Sequence, residues 1–149
     1  MATMTDPVSA SRITADEFQE LARERVPFVG QLGPVVECLD AGIAVLRQPY
    51  REEFLRPGGT VAGPVLMALA DLALYAAVLS KLGRVELAVT TNLNINFLRR
   101  PEPGDILAEA KLLKLGKRLA VGEVALFTAG DSEMVAHVTA TYSIPPDHT

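Results

Sequence analysis

Cysteine is nearly absent from this 149-residue chain. Cys38 is its one thiol, so no intrachain disulfide can form and no disulfide framework holds the fold. A lone cysteine is usually a small apolar filler, and Cys38 is expected in the core. Histidine is also sparse: His137 and His148 fit neither a metal-ligand spacing nor a catalytic pair, and both are expected at the solvent. Aromatic residues make up 5% of the chain, so a ligand pocket has to be lined mainly by Leu, Val and Ala. No basic block stands out against a net charge of -4, which removes the electrostatic footprint of a nucleic-acid binder. The opening residues MATMTDPVSASR lack the apolar core of a secretory signal peptide. With one thiol and no export signal, the expected compartment is the cytoplasm.

What the chain does have is apolar mass. Hydrophobic residues are 49% of it, enough for one domain with a sizeable core. The longest apolar run lies in RPGGTVAGPVLMALADLALYAAVLSKLG, starting at Arg56, where the one charge between Arg56 and Lys81 is Asp71. Residues 61–80 are long enough to span a bilayer, but Asp71 would sit near its centre at about 2.5–3.5 kcal/mol. The segments that follow alternate like a sheet, so no membrane span is expected. An isolated carboxylate among apolar groups costs several kcal/mol to keep ionised, and its presence here asks for a reason.

Residues 1–12 are expected to be disordered, 13–146 to form one domain and 147–149 to be a tail. A helix starts at ITADEF: Thr14 can cap it, Glu17 completes a capping box, and Ile13 and Phe18 are spaced for a hydrophobic staple. Phe18, Leu21 and Ala22 give it one apolar side, and Pro27 lies beyond its end. GPVVECLDAGIAVLRQPY predicts a hairpin turning at Asp40, Ala41 and Gly42. A loop over 51–59 and an apolar helix over 64–82 follow. Then come four strands. In ELAVTTNLNINFL, strict alternation puts Val89, Thr91, Leu93, Ile95 and Phe97 on one face, and Thr90 with Asn92, Asn94 and Asn96 on a polar one. DILAEAKLLKL and RLAVGEVALFT are joined by a tight turn at Gly116 and Lys117. EMVAHVTATYSI aligns Met134, Ala136, Val138, Ala140, Tyr142 and Ile144 on one face and His137 on the other. One long buried helix with an antiparallel sheet is an α+β layout, in which the sheet wraps the helix.

The chain resembles the PaaI-like hotdog-fold acyl-CoA thioesterases over roughly residues 27–145. The resemblance rests on AGPVLMALADLALYAA, AVTTNLNINFLRRPEPGD, LGKRLAVGEVAL and MVAHVTATYSI, in that order and spacing. It implies a hotdog fold: an antiparallel sheet around one central helix, here with an extra N-terminal helix. By position, Asp71 takes the place of the family's catalytic carboxylate. Gly63 takes that of the glycine whose N–H polarises the thioester carbonyl. Thr90 matches a Ser/Thr that helps hold the nucleophilic water. The chain departs from the pattern at Ala62, where the family has histidine, at Pro64, a second glycine, and at Arg56, an asparagine. No metal or separate cofactor is implied, coenzyme A being part of the substrate. The resemblance also implies a homodimer with shared active sites, and a tetramer as a dimer of dimers.

The residues themselves support that chemistry. A helix N-terminus offers oriented N–H groups to a developing oxyanion, and Gly63 stands at such an end. A carboxylate beside the carbonyl can act as general base on water or attack it directly. The CoA phosphates call for cations, and Arg56, Arg99, Arg100, Lys117 and Arg118 are the candidates. Asp71 follows Gly63 by eight residues, about 12 Å along one helix, so one carbonyl cannot touch both in one chain. Antiparallel helices of a two-fold dimer would bring Gly63 of one subunit opposite Asp71 of the other. The expected activity is hydrolysis of an acyl-CoA, acyl or aryl, to free acid and CoA. The alternatives are a hotdog protein that binds acyl-CoA without turnover and a hydroxyacyl dehydratase.

Overall fold

The structure, a computed structural model, describes residues 10–146. Residues 1–9 and the expected tail at 147–149, with His148, lie outside the described residues. Helix α1 (Ala15–Arg25) begins as its sequence dictates. The Thr14 hydroxyl accepts from the Glu17 N–H at 3.0 Å, and the Glu17 carboxylate accepts from the Thr14 N–H at 2.9 Å. Ile13 and Phe18 are both buried, as a hydrophobic staple needs. A short helix α2 (Pro27–Leu32), absent from the sequence reading, follows with Pro27 in its first turn.

The hairpin β1 (Val35–Asp40) and β2 (Ile43–Gln48) turns through Ala41 and Gly42, where Gly42 has φ +79°, a conformation glycine adopts without strain. The Gly42 N–H donates to the buried Ser80 hydroxyl at 2.7 Å, which ties the turn to the core helix. The segment expected as a loop holds a 3-10 turn (Glu52–Phe54) and a small ladder of β3 (Leu55–Arg56) with β4 (Thr60–Val61). Helix α3 (Gly63–Leu82) then runs into the body, followed by β5 (Val89–Phe97), β6 (Ile106–Leu115), β7 (Leu119–Thr128) and β8 (Met134–Ser143).

The six long strands form one antiparallel sheet in the order β1-β2-β6-β7-β8-β5, and α3 touches all of them. From Leu72 to Ser80 every residue of α3 is buried, so this helix, long and apolar enough to cross a membrane, is the core of the domain. Each fully buried leucine, Leu69, Leu74 and Leu79 among them, contributes about 1.5–3 kcal/mol. Gly122 on β7 allows the close approach of α3: a Cβ there would collide with Leu74. The first half of α3 differs. Pro64 and Met67 are exposed there, with Ala68 and Asp71 half-buried on the same side.

Bulges overturn two expectations from strict alternation, for Thr90 and Met134, and a third bulge accompanies the exposure of Cys38. Thr91 has no partner between the pairs Thr90–Tyr142 and Asn92–Thr141. The extra residue turns Thr90 to the helix side, with Leu93, Ile95 and Phe97, instead of the polar face. Val135 does the same in β8, so Met134 leaves the core face. Glu37 is the extra residue of β1, and Cys38 pairs with outward-facing Val45; the thiol is exposed, not a core filler. His137 lies on the outer face as expected, where its ring meets the Glu123 carboxylate at 3.0 Å.

Candidate active site

Asp71 stands on α3 where the helix passes under β5 and β8. Its Oδ1 accepts a hydrogen bond from the Thr90 hydroxyl at 2.6 Å and another from the Tyr142 hydroxyl at 2.7 Å. The Tyr142 hydroxyl also lies 2.8 Å from the Asp71 main-chain carbonyl oxygen. Oδ2 accepts no hydrogen bond from the described residues and is left to solvent or a ligand. Burial raises the Tyr142 pKa well above the usual tyrosine value, and the Asp71 charge pushes it further the same way. Tyr142 therefore remains a donor at any physiological pH. Its ring stacks on Tyr75 at 6.0 Å between centroids, and Tyr75 meets Phe18 of α1 edge-on at 5.7 Å. The N-terminal helix thus braces the aromatic pair that holds Asp71.

Tyr142 is a site residue that the sequence reading passed over. The signal was present: a tyrosine on a core-facing strand position needs a partner for its hydroxyl, and the core helix carries a single carboxylate that needs donors.

Gly63 opens α3. The residue before it, Ala62, offers no side-chain cap, and the Gly63 N–H donates to no described residue. A Cβ here would lie 3.1 Å from the Phe97 ring, which would have to give by a few tenths of an ångström. Gly63 lines an open cleft of about 410 Å³ together with Arg56, Arg99, Arg100 and Phe97. Three of the five expected cations are therefore gathered at the helix N-terminus. Arg99 is partly neutralised there by Glu133 at 2.7 Å and Asp131 at 3.6 Å. Arg56 and Arg100 have no ion-pair partner among the described residues. Lys117 and Arg118 are elsewhere, in the turn between β6 and β7. The pairs Leu119–Ser143 and Ala120–Tyr142 put that turn at the Tyr142 end of the sheet. The chain thus carries two half-sites: the Gly63 cleft, and Asp71 with Thr90 and Tyr142.

Between α2 and α3 lies a second, smaller cavity of about 130 Å³. Asp71 and Tyr142 border it, and Phe28, Val29, Leu32 and Leu72 supply apolar walls.

The profile of the thioesterase superfamily matches residues 58–135, the stretch that holds Gly63, Asp71 and Thr90. A candidate thioesterase of a Silicibacter species, known from its crystal structure, is 42% identical. The two match over 97% of this chain and 100% of that one, with a TM-score of 0.84. A structure of the phenylacetic acid degradation protein PaaI of Thermus thermophilus is 31% identical, covering 80% of this chain and 99% of the other at a TM-score of 0.71. A candidate esterase of Saccharolobus solfataricus is 30% identical over 132 residues, 89% of this chain and 86% of its own. With the wrapped sheet and its central helix, these matches show that the chain belongs to the thioesterase superfamily, as a PaaI-like thioester hydrolase of the hotdog fold.

Proposed function

We propose that the protein hydrolyses acyl-CoA thioesters, with Asp71 as the base that activates water and the Gly63 N–H as the oxyanion donor. The observation that carries this reading is the asymmetry of the Asp71 carboxylate. Oδ1 is pinned by two hydroxyl donors, and Oδ2 accepts no hydrogen bond from the described residues. A base needs an oriented lone pair that is not already engaged, and this arrangement supplies one. Oδ2 takes a proton from water as the water oxygen bonds to the thioester carbon. The carbonyl oxygen gains charge toward the Gly63 N–H, whose helix end is electropositive. The C–S bond then breaks, and the proton passes to the departing thiolate. Thr90 and Tyr142 hold the carboxylate in place and do not themselves exchange protons.

The cleft at Gly63 suits the nucleotide end of CoA. Arg56 and Arg100, without an ion-pair partner among the described residues, stand beside a helix N-terminus, which favours phosphate. Lys117 and Arg118 would serve the same ligand from the far end of the sheet only if a second subunit brings that end across the cleft.

A second subunit is also what the reacting carbonyl requires. Strand β5 is an edge of the sheet over nine residues, and Val89, Phe97 and the following Leu98 are more than half exposed. The start of α3 also exposes an apolar side chain, Met67 at 40%. A bare edge of this kind invites pairing with another chain. Antiparallel pairing of two β5 edges about a two-fold axis sets the α3 helices side by side, Gly63 against the partner's Asp71.

Thiol release from a panel of short, long and aryl acyl-CoAs tests the reading. Turnover of at least one, abolished in Asp71→Asn, is the expected result. Release unaffected by that substitution removes Asp71 from the mechanism, and CoA binding without release from any member removes hydrolysis.

A further inference from the structure

Between α1, α2 and the start of β1 lies a cavity of about 200 Å³ that the Asp71 chemistry does not use. Its inner wall is apolar: Phe18, Ala22, Leu46 and Leu72 are all buried. Two donors of α1 border it, Gln19 and Arg23, one helical turn apart and so on the same side of the helix. The Gln19 Oε1 accepts from the Val36 N–H at 2.8 Å. That partner is a donor, so the amide cannot be flipped, and Nε2 is the atom left over. Nε2 donates to no described residue. Arg23 is exposed, with no ion-pair partner among the described residues. No Asp or Glu lines the cavity.

Val29, Pro34 and Leu72 also line the cavity beside Asp71, so the two spaces share a wall and differ in charge. An anion in the cavity beside Asp71 meets a like charge. In this one it meets a cation and an amide N–H. Donors without acceptors beside an apolar interior suit a ligand with one anionic end and an apolar body. Volume sets its size. A cavity of about 150 Å³ accepts benzene, with about six non-hydrogen atoms, so about 200 Å³ accepts about eight.

We propose that this cavity is a second ligand site, separate from the Asp71 site, and that it binds a free monocarboxylate with a short apolar tail. The tail lies against Phe18, Leu46 and Leu72, and the carboxylate accepts from the Gln19 Nε2 and the Arg23 guanidinium. A free acid is the class of compound that thioester hydrolysis releases, whereas an acyl group still in thioester linkage has no charge for Arg23 to meet. The ligand chemistry is read from the cavity alone and stands without the proposed mechanism. Gln19 holds β1 through one amide atom and the ligand through the other, so an occupant ties α1 to the sheet.

The test is equilibrium binding, with the full chain at neutral pH, of hexanoate and hexanamide. The two are equal in size, and only hexanoate is ionised. The wild-type protein should prefer hexanoate by about fivefold, the upper scale of an exposed ion pair. In Arg23→Met, which keeps an apolar stem and loses the charge, the ratio should fall to about one. Intermolecular NOEs then place the ligand. Its tail should contact Leu46, which lines this cavity and not the one beside Asp71, rather than Ala68 or Leu69, which line only the latter. A wild-type protein that binds hexanamide as well or better overturns the proposal, whether or not the variant folds. So does contact with Ala68 or Leu69 in place of Leu46, a ratio unchanged in Arg23→Met, or no saturable binding of hexanoate. Because binding is read without turnover, failure of thiol release would sink the proposed mechanism and leave this site standing.

Discussion

The isolated charge of Asp71 is tolerated because the fold brings it two donors from strands far away in sequence. Asn at this position can still accept from Thr90 and Tyr142 but cannot take a proton. Asp71→Asn should therefore fold normally and lose about 10²-fold or more in kcat, as measured by thiol release beside a urea melt. Tyr142→Phe removes one of the two restraints and should lower kcat by about tenfold with KM little changed; an unchanged kcat would make Thr90 the sole restraint that matters. The same variant has a signature in stability. Burial, and after it the Asp71 charge, raises the folded pKa of Tyr142 above the ordinary value of 10.0. The folded chain keeps a proton that the unfolded chain gives up, so this contribution is whole below pH 10 and shrinks as pH rises beyond it. Tyr75, raised by its own burial, acts in the same direction. Unfolding followed from pH 8 to 11.5 should show a shallower alkaline loss for Tyr142→Phe than for wild type. Asp71 was legible in the sequence because one charge in a long apolar run has no cheap explanation. Its partners were not: Tyr142 is 71 residues away, and nothing local marks the pair.

At the scale of elements, periodicity carried most of the fold. Both long helices, the hairpin and all four later strands lie where apolar spacing and caps put them, because each presents one face, or a whole surface, to the same core. What periodicity could not carry was its own interruption. A bulge adds one residue to one strand, and the evidence for it is the partner's register, which a single strand does not contain. Thr90 and Met134 were assigned the wrong face for this one reason. Helix α2 and the β3–β4 ladder were missed because six residues and two-residue strands are too short to show a period. The packing of α3 on β7 makes a prediction at this scale. A Cβ at Gly122 would meet Leu74 and lie 2.9 Å from the Lys111 carbonyl oxygen, a backbone atom that cannot step aside. Gly122→Ala should cost about 1–3 kcal/mol by overpacking, read as a lower urea midpoint with an unchanged slope. A midpoint equal to that of wild type would mean that helix and sheet separate without cost. Loss of the cap is milder: Thr14→Ala should cost about 1 kcal/mol, and Thr14→Ser should restore most of it.

At the scale of the molecule, the decisive fact is that the two halves of the proposed site do not meet in one chain. Gly63 and Asp71 are eight residues apart on one helix, about 12 Å. The Gly63 cleft holds Arg56, Arg99 and Arg100, and the opposite end of the sheet holds Lys117 and Arg118. The proposed two-fold dimer through β5 would unite each half with the other half of its partner and cover the exposed Val89 and Phe97 at the same time. This arrangement makes an outcome that no monomer could give. In that dimer Asp71→Asn and Gly63→Pro, the latter deleting the N–H, should each be inactive in both sites of their own homodimer. Both must first be shown to fold. Unfolded, mixed in equal amounts and refolded, they pair at random, and about half of the molecules are heterodimers. In each heterodimer one site receives both lesions, and the other is built from the intact Gly63 of one chain and the intact Asp71 of the other. Two inactive parents should then yield about a quarter of wild-type activity. Mass spectrometry of the mixture shows whether heterodimers formed. If they are present and activity stays at zero, each chain does its chemistry alone, and the shared site is wrong.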